Sequence, residues 1–250
     1  MIILERDLTM KAADGVCDCV IYRPGEAGSF PGVLHLTDIG GIRQSHRDMA
    51  RRVASLGYIV MMPNVFYRSG RPPVIDFPMK PGDERTMTRF KELTSALGPD
   101  AMDRDASAYL DFLAAQDRIV PGRTAVVGYC YTGAMALRAA AARPATVMAA
   151  ASFHGGHLCT DTPASPHLLL PRVQARLCIG HAVNDRTMPA DAIDTLNRAL
   201  ANWGGRYESE VFEGASHGWT VPDHPAYDHS QAGRAFEKIS ALLSDTLQAR

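Results

Sequence analysis

Long apolar runs and an excess of either charge are both missing from this sequence. No stretch approaches the roughly 20 apolar residues that span a bilayer, and residues 1–7 lack the basic start and apolar core of a signal peptide. The formal net charge is -1 at pH 7, and the basic residues are scattered along the chain. Nucleic acids and anionic lipids select clustered Lys and Arg. We therefore expect a cytoplasmic protein that binds neither nucleic acid nor membrane.

Cysteine pairs with C-x-x-C spacing are missing too. The five cysteines form an odd and widely spread set: Cys17, Cys19, Cys130, Cys159 and Cys178. Such a set predicts neither a zinc site nor a redox motif, and free thiols suit a reducing compartment. Cys17 and Cys19 share one face of a predicted strand, but two thiols without further ligands are expected to serve packing. Nothing in the sequence indicates a metal or an organic cofactor.

The order of the apolar segments predicts an α/β fold. With 250 residues, 46% of them hydrophobic, the chain can bury one large core, and we expect a single domain over residues 1–250. Two apolar-rich runs in residues 2–23 flank Asp14-Gly15, which predicts an antiparallel hairpin at a sheet edge. From Pro31 onward β-branched runs alternate with helical segments, a pattern typical of an open, mostly parallel sheet. We predict strands at 32–36, 58–62, 124–127, 147–153, 177–181 and 207–212. Helices are predicted at about 45–56, 103–115, 134–142, 190–203 and 230–247. The segments 69–100 and 154–171 are predicted to be long loops, which in a compact fold are often functional or mobile.

One tight turn stands out as a candidate nucleophile site. Residues 124–137 read as a buried strand, a turn with Cys130 at its tip, and an alanine-rich helix. A strand that reverses sharply into a helix needs small residues around the tip, and Gly128 and Gly133 meet that need. The turn places the sulfur at a helix N-terminus, where unpaired N–H groups favour a thiolate and can hold the oxygen of a tetrahedral intermediate. The alternative is that Cys130 is a small buried side chain at an ordinary turn.

An acid and a histidine follow this turn in the order that such a site requires. Asp185 comes after the strand predicted at 177–181, and His217 follows the last predicted strand on a glycine-flanked loop. Alone, the aspartate reads as a helix cap and the histidine as a solvated loop residue. Open α/β sheets place their sites at the carboxyl ends of the strands, where both residues fall. We therefore expect His217 to exchange a proton with Cys130, and Asp185 to orient the imidazole.

At this point the sequence resembles the dienelactone hydrolase family, whose members are cysteine enzymes of the α/β-hydrolase superfamily. The resemblance covers nearly the whole chain. It implies an α/β-hydrolase fold, with a mostly parallel central sheet, an antiparallel N-terminal edge hairpin and helices on both faces. It also implies hydrolysis of a small ester or lactone through Cys130, His217, Asp185 and a thioester acyl-enzyme. The matching motifs are Thr-Asp-Ile-Gly-Gly at 37–41, Met-Pro-Asn-Val-Phe-Tyr-Arg at 62–68, Gly-Tyr-Cys at 128–130, Gly-His-Ala-Val-Asn-Asp at 180–185 with Pro189, and Glu-Gly-Ala-Ser-His at 213–217.

The same resemblance assigns further roles. It implies that the N–H groups of Ile39 and Tyr131 form the oxyanion hole. Asp38 takes the position of a family glutamate that helps to activate the thiol; because aspartate is one methylene shorter, its role here is direct, bridged by water or limited to local structure. Arg68 matches the first of two family arginines that hold a substrate carboxylate, and Val221 stands where the second would align. A small acid, a neutral lactone and an aryl ester all fit as substrates.

Several readings of the surroundings stay open. Tyr67, Tyr131 and Trp219 are either walls of an apolar substrate pocket or ordinary core residues. Thr132 replaces a family glycine, and a small local adjustment is expected there. The segment His154-Gly-Gly lies after the nucleophile and is expected to be a loop near the site. A thioesterase or acyl transferase on the same site and a non-catalytic ligand receptor are the alternative functions. The oligomeric state cannot be predicted from this sequence.

Overall fold

The computed structural model describes residues 1–80 and 82–248, and eight strands within these ranges form one sheet. In chain order the strands are β1 (Ile3–Ala12), β2 (Gly15–Pro24), β3 (Phe30–Leu36), β4 (Ile59–Pro63), β5 (Ile119–Tyr129), β6 (Val147–Phe153), β7 (Arg176–His181) and β8 (Tyr207–Val211). Across the sheet they lie in the order β1-β2-β4-β3-β5-β6-β7-β8. The pairs β1–β2 and β2–β4 are antiparallel, and the remaining neighbours are parallel. The predicted fold class, with its N-terminal edge hairpin, is confirmed.

The described residues form six α-helices, most of which pack against the two faces of this sheet. They are α1 (Gln44–Ala54), α2 (Glu84–Ser95), α3 (Pro99–Ala114), α4 (Gly133–Ala142), α5 (Ala190–Trp203) and α6 (His229–Leu243). Neighbouring strand residues point to opposite faces, so Val33 joins the core under α1 and α6 while Leu34 joins the core under α3, α4 and α5. Each fully buried side chain of this size contributes about 1.5–3 kcal/mol. The two cores hold the sheet rigid, and the loops at its carboxyl edge are built on it.

Sequence patterns missed one helix. The range 69–100 was expected to be a long loop, yet α2 lies within it. Its helical pattern is weak because it buries only Thr86 and Leu93, while Asp83 caps its start by accepting a hydrogen bond from the Thr86 N–H. The next helix, α3, begins four residues earlier than expected, with Pro99 in the first turn where a missing N–H costs nothing.

The loop expected at 154–171 is largely irregular, and its end forms the 3-10 segment Pro166–Arg172. After α6 the chain continues as one π-helical turn, Ser244–Gln248. None of the helices in the described part of the chain combines the length and the apolar character that crossing a bilayer requires.

Candidate active site

The turn after β5 holds Cys130 in a strained backbone conformation. The φ angle of Cys130 is +55°, in the left-handed region, which costs a residue with a side chain about 1–2 kcal/mol. A Cβ atom on Gly128 would lie 2.4 Å from the Thr132 carbonyl oxygen, and one on Gly133 would lie 2.6 Å from the Cα of Gly155. Only glycine fits at these two positions, and the turn therefore lifts the Cys130 side chain out of the sheet.

Thr132 fits into this turn and stabilises it. Its side chain is fully buried, and its hydroxyl accepts a hydrogen bond from the N–H of Tyr129 at 3.1 Å and lies 3.2 Å from the carbonyl oxygen of Leu36, to which it donates. The hydroxyl thus joins the turn to the end of β3.

Three side chains from three loops meet at the carboxyl edge of the sheet. The Nε2 atom of His217 lies 3.1 Å from the Sγ atom of Cys130, and its Nδ1 atom lies 2.6 Å from a carboxylate oxygen of Asp185. The other oxygen of Asp185 accepts hydrogen bonds from the N–H and the hydroxyl of Thr187, at 2.8 and 2.7 Å. The N–H of Val183 donates to the carbonyl of Ala215 and ties the two loops together. A thiol, an imidazole and a carboxylate are therefore hydrogen-bonded in series.

The electrostatics of this series favour a charged imidazole. Burial alone lowers the pKa of His217, but the hydrogen bonds and charges of Asp185 and Cys130 outweigh it and raise that pKa to about 10. Burial likewise raises the pKa of Asp185, while His217 and Thr187 bring it down to about 2. Both shifts favour an imidazolium between the carboxylate and the sulfur at neutral pH.

A cavity of about 790 Å³ opens above Cys130, and its walls are mainly apolar. Ile39, from the loop after β3, and Tyr131, beside the thiol, both line it. Tyr131 lies at the start of the helical turn, where backbone N–H groups have no acceptor within the helix. The hydroxyl of its side chain donates a hydrogen bond to the carbonyl of Leu97 at 2.9 Å. The wall opposite the sheet comes from α2 and the segment before it, through Met79, Phe90, Lys91 and Thr94.

The structure places Arg68 and Tyr67, which were predicted to bind substrate, away from the cavity. Arg68 donates to the two carboxylate oxygens of Asp105 at 2.6 and 3.0 Å and to Asp14 at 2.5 and 2.9 Å. The Tyr67 hydroxyl donates to Asp105 at 2.9 Å, and neither residue lines the cavity. Asp105 on α3 is fully buried, so its charge needs these partners. The local sequence around residues 62–68 carries no sign of this buried acid.

Of the two readings left open for Trp219, the structure favours a core residue over a wall of the pocket. Trp219 is fully buried under the site, with ring centroids of Phe212 and His154 at 4.9 and 5.0 Å. Val221, where a second substrate arginine was sought, is also fully buried. These two positions belong to the core that supports the His217 loop.

Asp38 lies beside the site, but its carboxylate is engaged elsewhere. It accepts hydrogen bonds from Arg43 at 2.5 and 2.8 Å and from the N–H of Gly40 at 2.9 Å. In the described part of the chain it makes no hydrogen bond with Cys130. Of the three roles considered for Asp38, this geometry favours local structure over direct activation of the thiol.

Two parts of the site had no role in the sequence analysis. The first is the network around Arg43, in which His46 connects the loop after β3 to His35.

The second is His154, which was expected only to be in a loop near the site. Its Nε2 atom lies 2.7 Å from the Thr220 hydroxyl, and its ring centroid is 5.1 Å from that of His217. Burial and the charge of His217 hold the pKa of His154 well below its usual value. Its position directly after β6, at the carboxyl edge of the sheet, is the signal that could have found it.

A family model and the curated relatives point to one family. The model of the dienelactone hydrolase family matches residues 17–247. A carboxymethylenebutenolidase from Rhodococcus opacus is 28% identical over 231 residues, which is 90% of this chain and 86% of the relative. The crystal structure of a dienelactone hydrolase-like promiscuous phosphotriesterase from metagenomic libraries has a TM-score of 0.79 at 21% identity and covers 98% of both chains. An acylaminoacyl peptidase from Pyrococcus horikoshii has a TM-score of 0.73 at 15% identity over 99% of this chain and 42% of the peptidase. The two structural likenesses concern the fold.

Proposed function

This chain belongs to the dienelactone hydrolase family, and from that premise we propose that it hydrolyses a small, uncharged ester or lactone with Cys130 as the nucleophile. The observation that carries this proposal is the series of contacts from Asp185 through His217 to Cys130, at 2.6 and 3.1 Å, at the edge of an apolar cavity. Such a series activates a nucleophile and keeps a proton ready for the leaving group.

The first half of the reaction forms a thioester. The Cys130 thiolate attacks the carbonyl carbon of the substrate, and the carbonyl electron pair moves onto the oxygen, which the N–H groups of Ile39 and Tyr131 stabilise. The tetrahedral intermediate then breaks its bond to the alkoxide. The alkoxide takes the proton from Nε2 of His217, so an alcohol leaves and a neutral imidazole remains. With a lactone, this alcohol stays attached to the acyl group.

The second half restores the enzyme. The neutral His217 takes a proton from water while the water oxygen attacks the thioester carbon. The second tetrahedral intermediate collapses, expels the Cys130 thiolate and releases a carboxylic acid, which loses its proton to the solvent. Asp185 keeps the imidazole in the correct tautomer and stabilises its charged form in both halves. The reaction needs only water as co-substrate.

The cavity supports uncharged substrates. A substrate carboxylate would need a positively charged partner other than the His217 imidazolium, which is already paired with Asp185 and Cys130. Arg68, the expected partner, is held outside the cavity by Asp14 and Asp105. The pKa of His224 in the cavity wall is lowered by burial, so this side chain is neutral at pH 7. Lys91 stands at the exposed part of the wall on α2, where solvent weakens its attraction for an anion. An apolar acyl or aryl group is the substrate part that gains most in this cavity.

Two further expectations fit this proposal. The loops that carry the three residues belong to one sheet, which supports a single domain over residues 1–250 as the functional unit. All five cysteines are free thiols, which supports a reducing compartment such as the cytoplasm.

The test compares hydrolysis of p-nitrophenyl acetate, a neutral lactone and dienelactone by the wild type and by Cys130→Ala. We expect the wild type to hydrolyse the two neutral substrates, the substitution to abolish hydrolysis, and iodoacetamide to inactivate the wild type. Preference for oxygen esters over thioesters of the same acid separates hydrolysis of esters from thioesterase activity. Hydrolysis by Cys130→Ala at the wild-type rate contradicts the proposal.

A further inference from the structure

Arg43 joins two loops that surround the thiol. Its guanidinium donates to both carboxylate oxygens of Asp38, at 2.5 and 2.8 Å, and to both oxygens of Asp223, at 2.8 and 3.0 Å. Asp38 lies directly before Ile39, and Asp223 lies on the loop that continues from His217. Because the fork of a guanidinium is rigid, these four hydrogen bonds fix the distance between the two loops.

The backbone beside Asp38 is fixed as well. The carbonyl oxygen of Asp38 accepts a hydrogen bond from the N–H of Gly41 at 3.1 Å, and its own N–H donates to Nε2 of His46 at 3.2 Å. In a trans peptide the C=O and N–H groups point in opposite directions. The N–H of Ile39 shares a peptide with the Asp38 carbonyl, so it points away from Gly41, and it makes no hydrogen bond with any described residue.

The guanidinium also packs directly on this turn. A Cβ atom on Gly40 would lie 2.6 Å from Nη1 of Arg43, so the guanidinium occupies the space that a side chain would fill. The Asp38 side chain is only 8% exposed, and a buried carboxylate that loses a charged partner is costly. If Arg43 were absent, Asp38 would keep only the Gly40 N–H at 2.9 Å and the His46 ring nitrogen at 3.4 Å nearby. The turn would then shift to bring the carboxylate closer to water, and the Ile39 N–H would move with it.

We propose that Arg43, anchored on Asp223, is a positioning residue, which holds the Ile39 N–H in place to stabilise the oxyanion. This inference rests on the proposed function. It concerns how the oxyanion is bound, and the reactivity of the Cys130–His217 pair does not depend on it. The two properties can be measured separately.

Two assays on the same variants test the proposal. The first measures kcat and KM for p-nitrophenyl acetate, whose hydrolysis passes through an oxyanion. The second measures the rate of alkylation of Cys130 by iodoacetamide, in which the thiolate displaces iodide and no charge develops on a carbonyl oxygen. The matched control is Arg176→Ala: Arg176 also bridges two carboxylates, Glu208 and Asp245, and its side chain is 23% exposed against 16% for Arg43.

We expect Arg43→Ala to lower kcat about 10- to 100-fold, a part of the loss seen when one oxyanion donor is removed. KM and the alkylation rate should stay within about twofold of the wild type, and guanidinium chloride at millimolar concentration should restore part of kcat. Arg43→Lys keeps the charge without the fork and should fall between the wild type and Arg43→Ala. Because it is the milder change, it also carries the test if Arg43→Ala does not fold.

Two results would overturn the inference. One is a kcat of the Arg43 variants no lower than that of Arg176→Ala. The other is an alkylation rate that falls in proportion to kcat, since Arg43 would then support the Cys130–His217 pair. Cys130→Ala, measured alongside, keeps the two proposals distinct. If it hydrolyses the ester as fast as the wild type, the proposed function fails, whereas an inactive Cys130→Ala with fully active Arg43 variants refutes only the role of Arg43.

Discussion

The Nε2 atom of His217 lies 3.1 Å from the Sγ atom of Cys130, although 87 positions separate the two residues in the chain. They meet because β5 and β8 run parallel in one sheet, so the loops after these strands open at the same edge. Asp185, after β7, reaches the same point from between them. The sheet topology thus sets the relative positions of three side chains that no local sequence pattern could place.

Replacing Asp185 with asparagine should reduce both catalysis and thiol reactivity. Asparagine cannot stabilise an imidazolium, so the pKa of His217 should fall and less thiolate should form. We expect kcat for p-nitrophenyl acetate to drop by at least about 100-fold, and alkylation by iodoacetamide at pH 6 to slow as well. Asp191→Asn, at an exposed position on α5, is the control and should behave like the wild type. Unchanged alkylation in Asp185→Asn would contradict this role of the carboxylate.

The His217–Asp185 pair should make stability depend on pH in a defined window. The folded-state pKa of His217 is raised above its ordinary value of 6.5, so its contribution is complete below pH 6.5 and is lost as the pH rises towards the folded pKa. The Cys130→Ala background removes the titration of the thiol together with the part of the pKa shift of His217 that Cys130 causes, so only the part due to Asp185 is measured. In it, the free energy of unfolding should fall on the order of 1–2 kcal/mol between pH 6.5 and 9.

The control for this experiment is Cys130→Ala combined with His217→Gln, which should lack that loss. The lowered pKa of Asp185 acts in the opposite direction: its contribution is present above pH 3.8 and is lost as the pH falls towards 2. Equal pH dependence of the two variants between pH 6.5 and 9 would show that the pair does not stabilise the fold.

The glycines of the nucleophile turn should tolerate no side chain. In Gly128→Ala the new methyl group would lie 2.4 Å from the carbonyl oxygen of Thr132, and we expect a loss of about 1–3 kcal/mol in the free energy of unfolding and of nearly all activity. Gly233 is the matched control, because its Cβ would meet nothing within 4 Å and it lies inside α6. Gly233→Ala should raise stability by about 0.5–1 kcal/mol and leave activity unchanged. Chemical denaturation of both variants checks this, and a stable, active Gly128→Ala would refute the need for glycine in the turn.

Arg68 should affect stability and not substrate choice. Arg68→Met leaves the buried Asp105 with fewer partners, and we expect a loss of about 3–5 kcal/mol in the free energy of unfolding. We compare the neutral ester p-nitrophenyl hexanoate with mono-p-nitrophenyl adipate, which carries a carboxylate. In the wild type the ratio of kcat/KM for the neutral ester to kcat/KM for the charged ester should exceed one. It should be the same in Arg68→Met, measured below its unfolding temperature. A selective gain for the neutral ester in Arg68→Met would return Arg68 to the substrate site.

The regular elements could be predicted where their pattern was strong. The bounds of β6 and α5 agree with the sequence prediction at every residue, because a continuous apolar run and a clear amphipathic pattern mark them. The helix α2 was missed because only two of its residues are buried. The segment that forms α2, and with it one wall of the cavity, therefore carries no apolar stripe that would predict a helix.

The substrate residues show a different limit. The motif at 62–68 was matched to the family from sequence alone, but the direction of the Arg68 side chain depends on Asp105, which lies 37 positions away on α3. Trp219 stands two positions from His217, yet it points into the core against Phe212. Proximity in sequence to a site residue does not fix where a side chain points, whereas the order of Cys130, Asp185 and His217 along parallel strands constrains where their loops lie.

The most direct test of the account is to identify the acylated residue. The wild type is mixed with a p-nitrophenyl ester, quenched in acid during turnover and measured by intact-protein and peptide mass spectrometry. Because p-nitrophenolate leaves readily, acylation should outpace thioester hydrolysis, and the mass of one acyl group should appear on the peptide that contains Cys130. Cys130→Ala should show neither the added mass nor turnover. Acylation at another residue, or turnover by Cys130→Ala at the wild-type rate, would contradict the central claim that Cys130 is the nucleophile.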